Sequence, residues 1–248
     1  MILFSNPNVV EEAPVASSAQ PNRFPGETPA YRRVRNRLLQ AELTLRKNLE
    51  EVATLRRKLP LGGEVPEDYI FGEGASDLED SKTVRQTRMS ELFQPGKDTL
   101  AIYSFMYGPK MKSACPACTS ILDSLNGTAP HATQRINLAV VAKNPLEKIR
   151  THARNRGWRN LRLLSSAGNT YNRDYQGETA DGDQQPGLNV FARRNGKIHH
   201  FYYTELRLLP AEPGQDHRAV DLLWPLWSLF DFTPEGRGTG WSPKLTYP

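Results

Sequence analysis

The order strand, loop, cysteine pair and helix constrains this chain more than any other feature. Residues 99–105 form a continuous apolar, β-branched and aromatic run, which is typical of a buried central strand. Cys115-Pro116-Ala117-Cys118 begins ten residues beyond that run, and residues 119–125 continue with helical spacing until Asn126-Gly127. In a cytosolic chain a Cys-x-x-Cys pair in this setting indicates a redox-active dithiol.

The spacing of the two cysteines suits reversible disulfide formation. If Cys115 is the helix N-cap, Pro116 falls at the first helical position, where its missing N–H costs nothing. Cys118 then lies one turn further on, within the roughly 4.4–6.8 Å between Cα atoms that a disulfide tolerates. The helix N-terminus favours the thiolate form of Cys115. We therefore expect Cys115 to be the nucleophile and Cys118 to resolve the mixed disulfide.

Further segments with strand and helix patterns surround the cysteine pair. The predicted strands are residues 68–71, 82–88, 139–142, 161–164, 188–193 and 197–203, and the predicted helices are residues 145–156 and 218–232. Asn195-Gly196 between two apolar runs predicts a hairpin. Strands that alternate with helices predict an α/β fold with a central mixed sheet flanked by helices. The polar residues 165–185 form a long loop, which a compact domain usually keeps for a functional reason.

A long amphipathic helix is predicted over residues 29–60. Its apolar residues recur at a 3,4 spacing with neither Gly nor Pro in the interior, and Pro60 stops it. The helix carries nine basic and three acidic residues, and the solvated face of a packed helix explains this charge better than nucleic-acid binding. Its apolar stripe needs a partner, either its own domain or a second copy in a homodimer. Residues 1–28 read as a disordered leader, and residues 61–248 as the α/β domain with a C-terminal extension.

Composition narrows the class of protein. With 248 residues, 38% of them hydrophobic, the chain is long enough for a sizeable core, but no apolar run approaches the roughly 20 residues of a membrane helix. Residues 1–4 are apolar but too few for a secretory signal, and two cysteines are too few for a disulfide framework. We therefore expect a cytoplasmic protein without membrane association.

The main alternative to a redox dithiol is a metal-binding or partner-binding module without redox turnover. A closed zinc site would need two more ligands, and a soft cysteine pair with a histidine could hold Cu(I). The candidate additional ligands are His131, His152, His199, His200 and His217. If residues 197–203 form a strand, His199 and His200 point to opposite faces, so at most one of them approaches the dithiol. We assign no metal ligands and no cofactor to the chain.

Several local motifs taken together resemble a known family. The order Phe105-Met106-Tyr107-Gly108-Pro109, then Cys115-Pro116-Ala117-Cys118, then Pro186 before a strand, and Thr233-Pro234-Glu235-Gly236-Arg237 resembles the DUF899 family of thioredoxin-like proteins. The resemblance runs from about Tyr31 to the C-terminus and includes residues 65–69, 158–162 and 168–172.

This resemblance implies a thioredoxin-like core, in which a cis-proline faces the cysteine pair and its neighbouring backbone pairs with extended substrate. Pro186 occupies the matching place. The chain departs from ordinary thioredoxins because no tryptophan precedes Cys115, the inner dipeptide is Pro-Ala, and the 165–185 loop is longer. It also lacks the peroxiredoxin pattern of Pro four and Thr or Ser three residues before the cysteine, since Met111 and Lys112 stand there. A peroxiredoxin-type peroxidase is therefore not the first choice.

These observations predict a thioredoxin-like enzyme, a thiol–disulfide oxidoreductase. Cys115, Cys118 and Pro186 are its expected catalytic residues. Its expected substrate is a protein or small-molecule thiol or disulfide.

Overall fold

The first unit of the chain, Met1–Leu59, is built on one long helix, α1 (Pro29–Arg57). The structure is a computed structural model that describes residues 22–216, 223–233, 235 and 237–247. Most of the expected leader, up to residue 21, therefore lies outside the described residues. Thr28 caps α1 by accepting a hydrogen bond from the backbone N–H of Tyr31 at 3.1 Å, and Pro29 occupies the first turn.

The predicted amphipathic helix is confirmed as α1. No residue of α1 is buried, and most of its large apolar side chains are exposed, among them Tyr31, Val34, Leu38, Leu45, Val52 and Leu55. The pairing of this stripe with a second copy of the chain stays a prediction.

The second unit, Pro60–Pro248, contains a seven-stranded sheet. Its strands are β1 (Ile70–Gly74), β2 (Val84–Arg88), β3 (Thr99–Ser104), β4 (Asn137–Ala142), β5 (Leu163–Ser165), β6 (Gly187–Arg194) and β7 (Lys197–Tyr203). The helices are α2 (Pro116–Ala132), α3 (Leu146–Arg156), the short α4 (Tyr171–Asp174) and α5 (Pro225–Phe230). Of the predicted final helix, residues 218–222 lie outside the described residues.

The strand order is β2-β1-β5-β4-β3-β6-β7. Strands β3, β4 and β5 are parallel, β6 is antiparallel to β3, and β7 is antiparallel to β6. A parallel β3-α2-β4 unit followed by a helix and an antiparallel hairpin on the other side of β3 is the thioredoxin-like arrangement. The predicted fold class, a mixed sheet flanked by helices, is confirmed.

Both faces of the central strands are buried, as their continuous apolar sequences predict. On β3, Tyr103 belongs to the core on the α2 side, whereas Ile102 belongs to the core on the other face. Val140 and Val141 of β4 divide in the same way. Because successive side chains alternate between faces, Tyr103 points toward the layer that contains Cys118.

Helix α2 is longer than the sequence predicts, because Asn126-Gly127 does not end it. It continues to Ala132 with Pro130 inside, and Ala129 in this last part is fully buried. A proline has no N–H to give to the carbonyl four residues earlier, here that of Asn126. The side chain of Asn160 donates to this carbonyl at 3.1 Å instead. A tertiary contact thus compensates for the helix breaker.

Candidate active site

Cys115 is the N-cap of α2, as predicted, with Pro116 at the first helical position. The backbone N–H and the hydroxyl of Thr119 both donate to the Cys115 carbonyl at 2.9 Å. The N–H of Cys115 donates to the Met106 carbonyl at 3.0 Å. The backbone of Cys115 is therefore fixed from the helix and from the loop that follows β3, and its half-buried side chain sits at the positive end of α2.

Cys118 is buried, with 2% of its surface exposed. Its side chain hydrogen-bonds to that of Cys115, and this bond, followed by burial, raises the pKa of the Cys118 thiol well above its ordinary value. The backbone of Met106 and the side chain of Tyr103 also hydrogen-bond to Cys118 and act in the opposite direction. Cys118 is thus a protonated thiol held against Cys115, with two groups in place that stabilise its thiolate.

Both cysteines line a cavity of about 1080 Å³. Tyr103 and Met106 line it from β3 and the following loop, and Pro186 lines it from the residue before β6. The structure thus brings Cys115, Cys118 and Pro186 together at one cavity. Their catalytic roles stay a prediction.

The implied cis-proline is not present, because the peptide bond before Pro186 is trans. The N–H of Gln185 donates to the Gly177 carbonyl at 2.9 Å, and Gly187 pairs with Ser104 in the sheet. Backbone hydrogen bonds therefore connect the residue before Pro186 to the 165–185 loop and the residue after it to β3. The chain enters β6 through a trans peptide bond.

Three tryptophans of the C-terminal segment also line the cavity, and we call them the tryptophan wall: Trp224, Trp227 and Trp241. The indole N–H of Trp224 donates to the Ser120 hydroxyl on α2 at 3.1 Å. The rings of Trp224 and Trp241 meet that of Trp227 edge to face, with centroids 5.1 and 5.9 Å away. The C-terminal segment is therefore attached to the helix that carries both cysteines.

A second aromatic layer lies beneath the start of α2. His152 Nε2 is 3.2 Å from the Thr119 hydroxyl, and the imidazole lies among the rings of Phe105, Tyr107 and Trp158. Burial, and secondarily the charge of Arg156, lowers the pKa of His152. His152 therefore reaches the backbone of Cys115 only through Thr119.

Other sequence candidates lie outside the lining of the cavity that the structure describes. His200 stacks on Tyr175 and its Nε2 lies 3.0 Å from the Asn189 side chain, in the core on the other face of the sheet. His199 is likewise not among the described lining residues. Lys110, which stands five residues before Cys115, donates to the Asp181 carbonyl at 3.3 Å.

The 165–185 loop is largely packed onto the domain. Tyr171 of α4 is fully buried, and the Ser166 hydroxyl donates to the Asn172 side chain at 2.6 Å. Lys143 and Glu178 form an ion pair at 3.7 Å. None of the described lining residues of the cavity comes from this loop.

Within residues 22–216 and the described C-terminal residues, no three His, Cys, Asp or Glu side chains are grouped so that they could hold a metal ion. In the same residues, none of the helices has the length and apolar character to cross a membrane. The candidate ligand His217 lies outside these residues.

Sequence reasoning missed Tyr103 and the tryptophan wall. The alternation of β3 contained a signal for Tyr103, because residues 101, 103 and 105 share one face. For Trp224 and Trp241, the chain contains no local signal, since only the return of the C-terminal segment brings them to α2.

The fold and the cysteine pair define a thioredoxin-like protein with a dithiol at the N-terminus of a helix. The family described as "Bacterial protein of unknown function (DUF899)" matches residues 21–247. The chain therefore belongs to the DUF899 family.

The chain is similar to several solved structures of peroxiredoxins. AhpC of Enterococcus faecalis is 9% identical, with a TM-score of 0.43 over 64% of this chain and 86% of that one. Reduced 2-Cys peroxiredoxin of Plasmodium vivax is 14% identical, with a TM-score of 0.43 over 65% and 94%. Reduced Prx3 of Vibrio vulnificus in complex with H2O2 is 11% identical, with a TM-score of 0.44 over 66% and 99%. A comparison with curated proteins found no match.

Proposed function

We propose that this protein is a thiol–disulfide oxidoreductase whose redox pair is Cys115 and Cys118. One observation carries the proposal: Cys115 caps α2 beside the cavity, while the buried Cys118 thiol hydrogen-bonds to it from one turn further along the helix. This arrangement provides an accessible nucleophile and a second thiol within reach of it.

In the first step the Cys115 thiolate attacks one sulfur of a substrate disulfide. The free N–H groups and the dipole of α2 favour the negative charge on Cys115. The S–S bond of the substrate breaks, a mixed disulfide forms on Cys115, and the leaving thiolate takes a proton from water. Because Thr119 and Met106 fix the Cys115 backbone, the sulfur keeps its position at the cavity.

In the second step Cys118 resolves the mixed disulfide. Its raised pKa keeps it a thiol while Cys115 is the thiolate. When Cys115 becomes part of a disulfide, its negative charge and the hydrogen bond it accepted disappear, so Cys118 ionises more easily. The Cys118 thiolate then attacks the Cys115 sulfur, the substrate's remaining half leaves as a thiol, and the enzyme holds the Cys115–Cys118 disulfide. A cellular dithiol would reduce this disulfide again.

Pro186 has a passive role in this scheme. It borders the same cavity as the cysteines and has no N–H, so it offers an apolar surface beside the reacting sulfurs. The reaction needs no cofactor or metal. The reaction suits the reducing cytoplasm, where we expect the protein to act. We also expect the exposed apolar stripe of α1 to pair with that of a second copy of the chain.

The test is to trap the mixed disulfide. The Cys118→Ser variant lacks the resolving thiol. It should react once with a disulfide such as cystamine and keep half of that molecule as a mass label on Cys115. Cys115→Ser should keep no label, because Cys118 is buried. The wild type should release both halves of cystamine and lose two free thiols. Intact mass spectrometry under native conditions distinguishes these results. If Cys115→Ser retains the label as fast as Cys118→Ser does, the assigned roles are wrong.

A further inference from the structure

The tryptophan wall gives the dithiol a chemically distinctive neighbourhood. We infer that the substrate is a low-molecular-weight disulfide that carries a neutral, flat aromatic group. This inference rests on the proposed function and adds the substrate class to it.

The wall belongs to the reaction site and is not a remote patch. Trp224 hydrogen-bonds to Ser120, which lies on α2 only two residues beyond Cys118. Trp227 is 2% exposed and connects Trp224 to Trp241 through edge-to-face contacts. Trp241 is 37% exposed, so part of its surface is available to a ligand.

The dimensions of the cavity fit a small ligand. Its volume of about 1080 Å³ lies slightly above the roughly 300–1,000 Å³ that is usual for pockets holding drug-sized molecules. The cavity residues that contribute further apolar surface are Met106, Pro116, Ile121, Pro186 and Pro243. Such a lining buries most of a small ligand and holds it by apolar contact.

The chemistry of the lining selects the type of ligand. Indole rings pack best with other aromatic rings, edge to face or offset, and each such contact adds to simple burial. Asp216 also lines the cavity, and its carboxylate lies 3.8 Å from the Arg237 guanidinium. None of the described lining residues is a lysine or an arginine, so the lining offers no positive charge to an anionic disulfide such as that of glutathione.

The reaction is balanced without a further reagent in a single turnover. The Cys115 thiolate displaces one aryl thiolate from the aromatic disulfide, and the Cys118 thiolate displaces the second from Cys115. Two protein thiols become one protein disulfide, and one aryl disulfide becomes two aryl thiols. An added dithiol would return the protein to its reduced state.

The test compares three disulfides in single turnovers with the reduced full chain. They are 4,4′-dithiodipyridine, which is neutral and aromatic; bis(2-hydroxyethyl) disulfide, which is neutral and aliphatic; and glutathione disulfide, which is anionic. Each rate is divided by the rate of the same disulfide with the urea-unfolded chain, which removes intrinsic reactivity. We expect the normalised rate for the aromatic disulfide to exceed the other two by about tenfold or more, a selectivity that corresponds to about two aromatic contacts.

Variants of the wall locate the effect. Trp241→Ala and Trp224→Ala should each lower the ratio of the aromatic to the aliphatic rate by about fivefold, the range of one aromatic contact. Phe232→Ala is the matched control, because Phe232 is 82% exposed and does not line the cavity. Far-UV circular dichroism checks that each variant is folded, and Trp241→Phe should keep most of the preference.

A binding measurement separates the cavity from the chemistry. The Cys115→Ser, Cys118→Ser double variant is titrated with 4,4′-thiodipyridine, a thioether that cannot exchange, while tryptophan fluorescence is followed. Saturable quenching that Trp241→Ala weakens supports the inference. Equal normalised rates for all three disulfides, or the absence of saturable binding, would overturn the inference about the substrate. A reversible Cys115–Cys118 disulfide would in that case still support the proposed function. If no such disulfide forms, the proposed function fails and the substrate assignment fails with it.

Discussion

Cys118 lies behind Cys115 and hydrogen-bonds to its side chain, with only 2% of the Cys118 surface exposed. The two thiols of one motif are therefore chemically unequal before any substrate arrives. Cys115 is half-buried at the helix N-terminus, whereas the hydrogen bond that the Cys118 thiol donates to Cys115, and then burial, raise the pKa of Cys118.

This inequality predicts how the stability of the reduced protein depends on pH. Because the folded-state pKa of Cys118 is raised, its stabilising contribution is present below the unfolded cysteine pKa of about 8.5 and is lost as the pH rises above it. We expect a loss of up to about 1.4 kcal/mol per pH unit in this range. Urea unfolding under a phosphine reductant at several pH values measures it. Cys118→Ala should flatten the curve, and an unchanged slope in that variant would contradict the prediction.

Tyr103 is expected to assist the resolving step. Its side-chain hydrogen bond lowers the pKa of Cys118 and so stabilises the thiolate that attacks Cys115. Tyr103→Phe keeps the ring and removes this bond, which should slow closure of the Cys115–Cys118 disulfide by about fivefold, the effect of losing one hydrogen bond of about 1 kcal/mol. Alkylation of Cys115 should keep its rate. Stopped-flow measurement of the release of the second thiol separates the two steps, and a closure rate equal to the wild type would exclude this role.

His152 is expected to make the fold sensitive to mild acid. Burial first, and the charge of Arg156 second, lowers its pKa, while the charge of Asp123 acts in the opposite direction. The His152 imidazole therefore takes up a proton more easily in the unfolded chain than in the folded chain. The free energy of unfolding falls as the pH drops below the unfolded pKa of about 6.5. His152→Phe should reduce this loss by as much as about 1.4 kcal/mol per pH unit. Denaturant unfolding between about pH 7 and pH 5 tests it. For comparison, burial also lowers the pKa of His200, so His200→Phe should act in the same direction.

Arg150 is expected to be a strong contributor to stability. It is 5% exposed, and its guanidinium donates to the backbone carbonyls of Ala75, Asp77 and Asp80 at 2.6, 2.6 and 2.9 Å. Arg150→Met keeps the apolar stem but removes three charged hydrogen bonds, which should lower the free energy of unfolding by about 3 kcal/mol. The exposed Lys148→Met on the same helix is the control and should change it by less than about 0.5 kcal/mol. Similar midpoints for the two variants would show that these bonds contribute little.

Local patterns predicted the parts of the fold that depend on local geometry. Pro116 after Cys115 marked the start of α2, because a proline suits only the first turn of a helix. Gly157 ends α3 in the left-handed conformation, with φ of 71°. Asn195 and Gly196 both have positive φ in the turn between β6 and β7, as their residue types require.

The missed features depend on contacts between residues far apart in the chain. Helix α2 passes Pro130 because Asn160 takes over the carbonyl of Asn126. The tryptophan wall exists because Trp224 binds Ser120, which is 104 residues away in sequence. Sequence patterns report the preferences of neighbouring residues, so they predicted the dithiol at the start of a helix but gave no sign of the tryptophans beside it.

The central claim is that Cys115 and Cys118 form a working redox pair, and one equilibrium measurement tests it directly. The full chain is incubated in dithiothreitol redox buffers of graded potential, and its free thiols are counted by mass tagging. We expect a reversible two-electron transition between about −120 and −270 mV, in which both thiols disappear together. Either serine variant should abolish this transition. Free thiols that persist at every potential, or that are lost only into disulfides between chains, would contradict it.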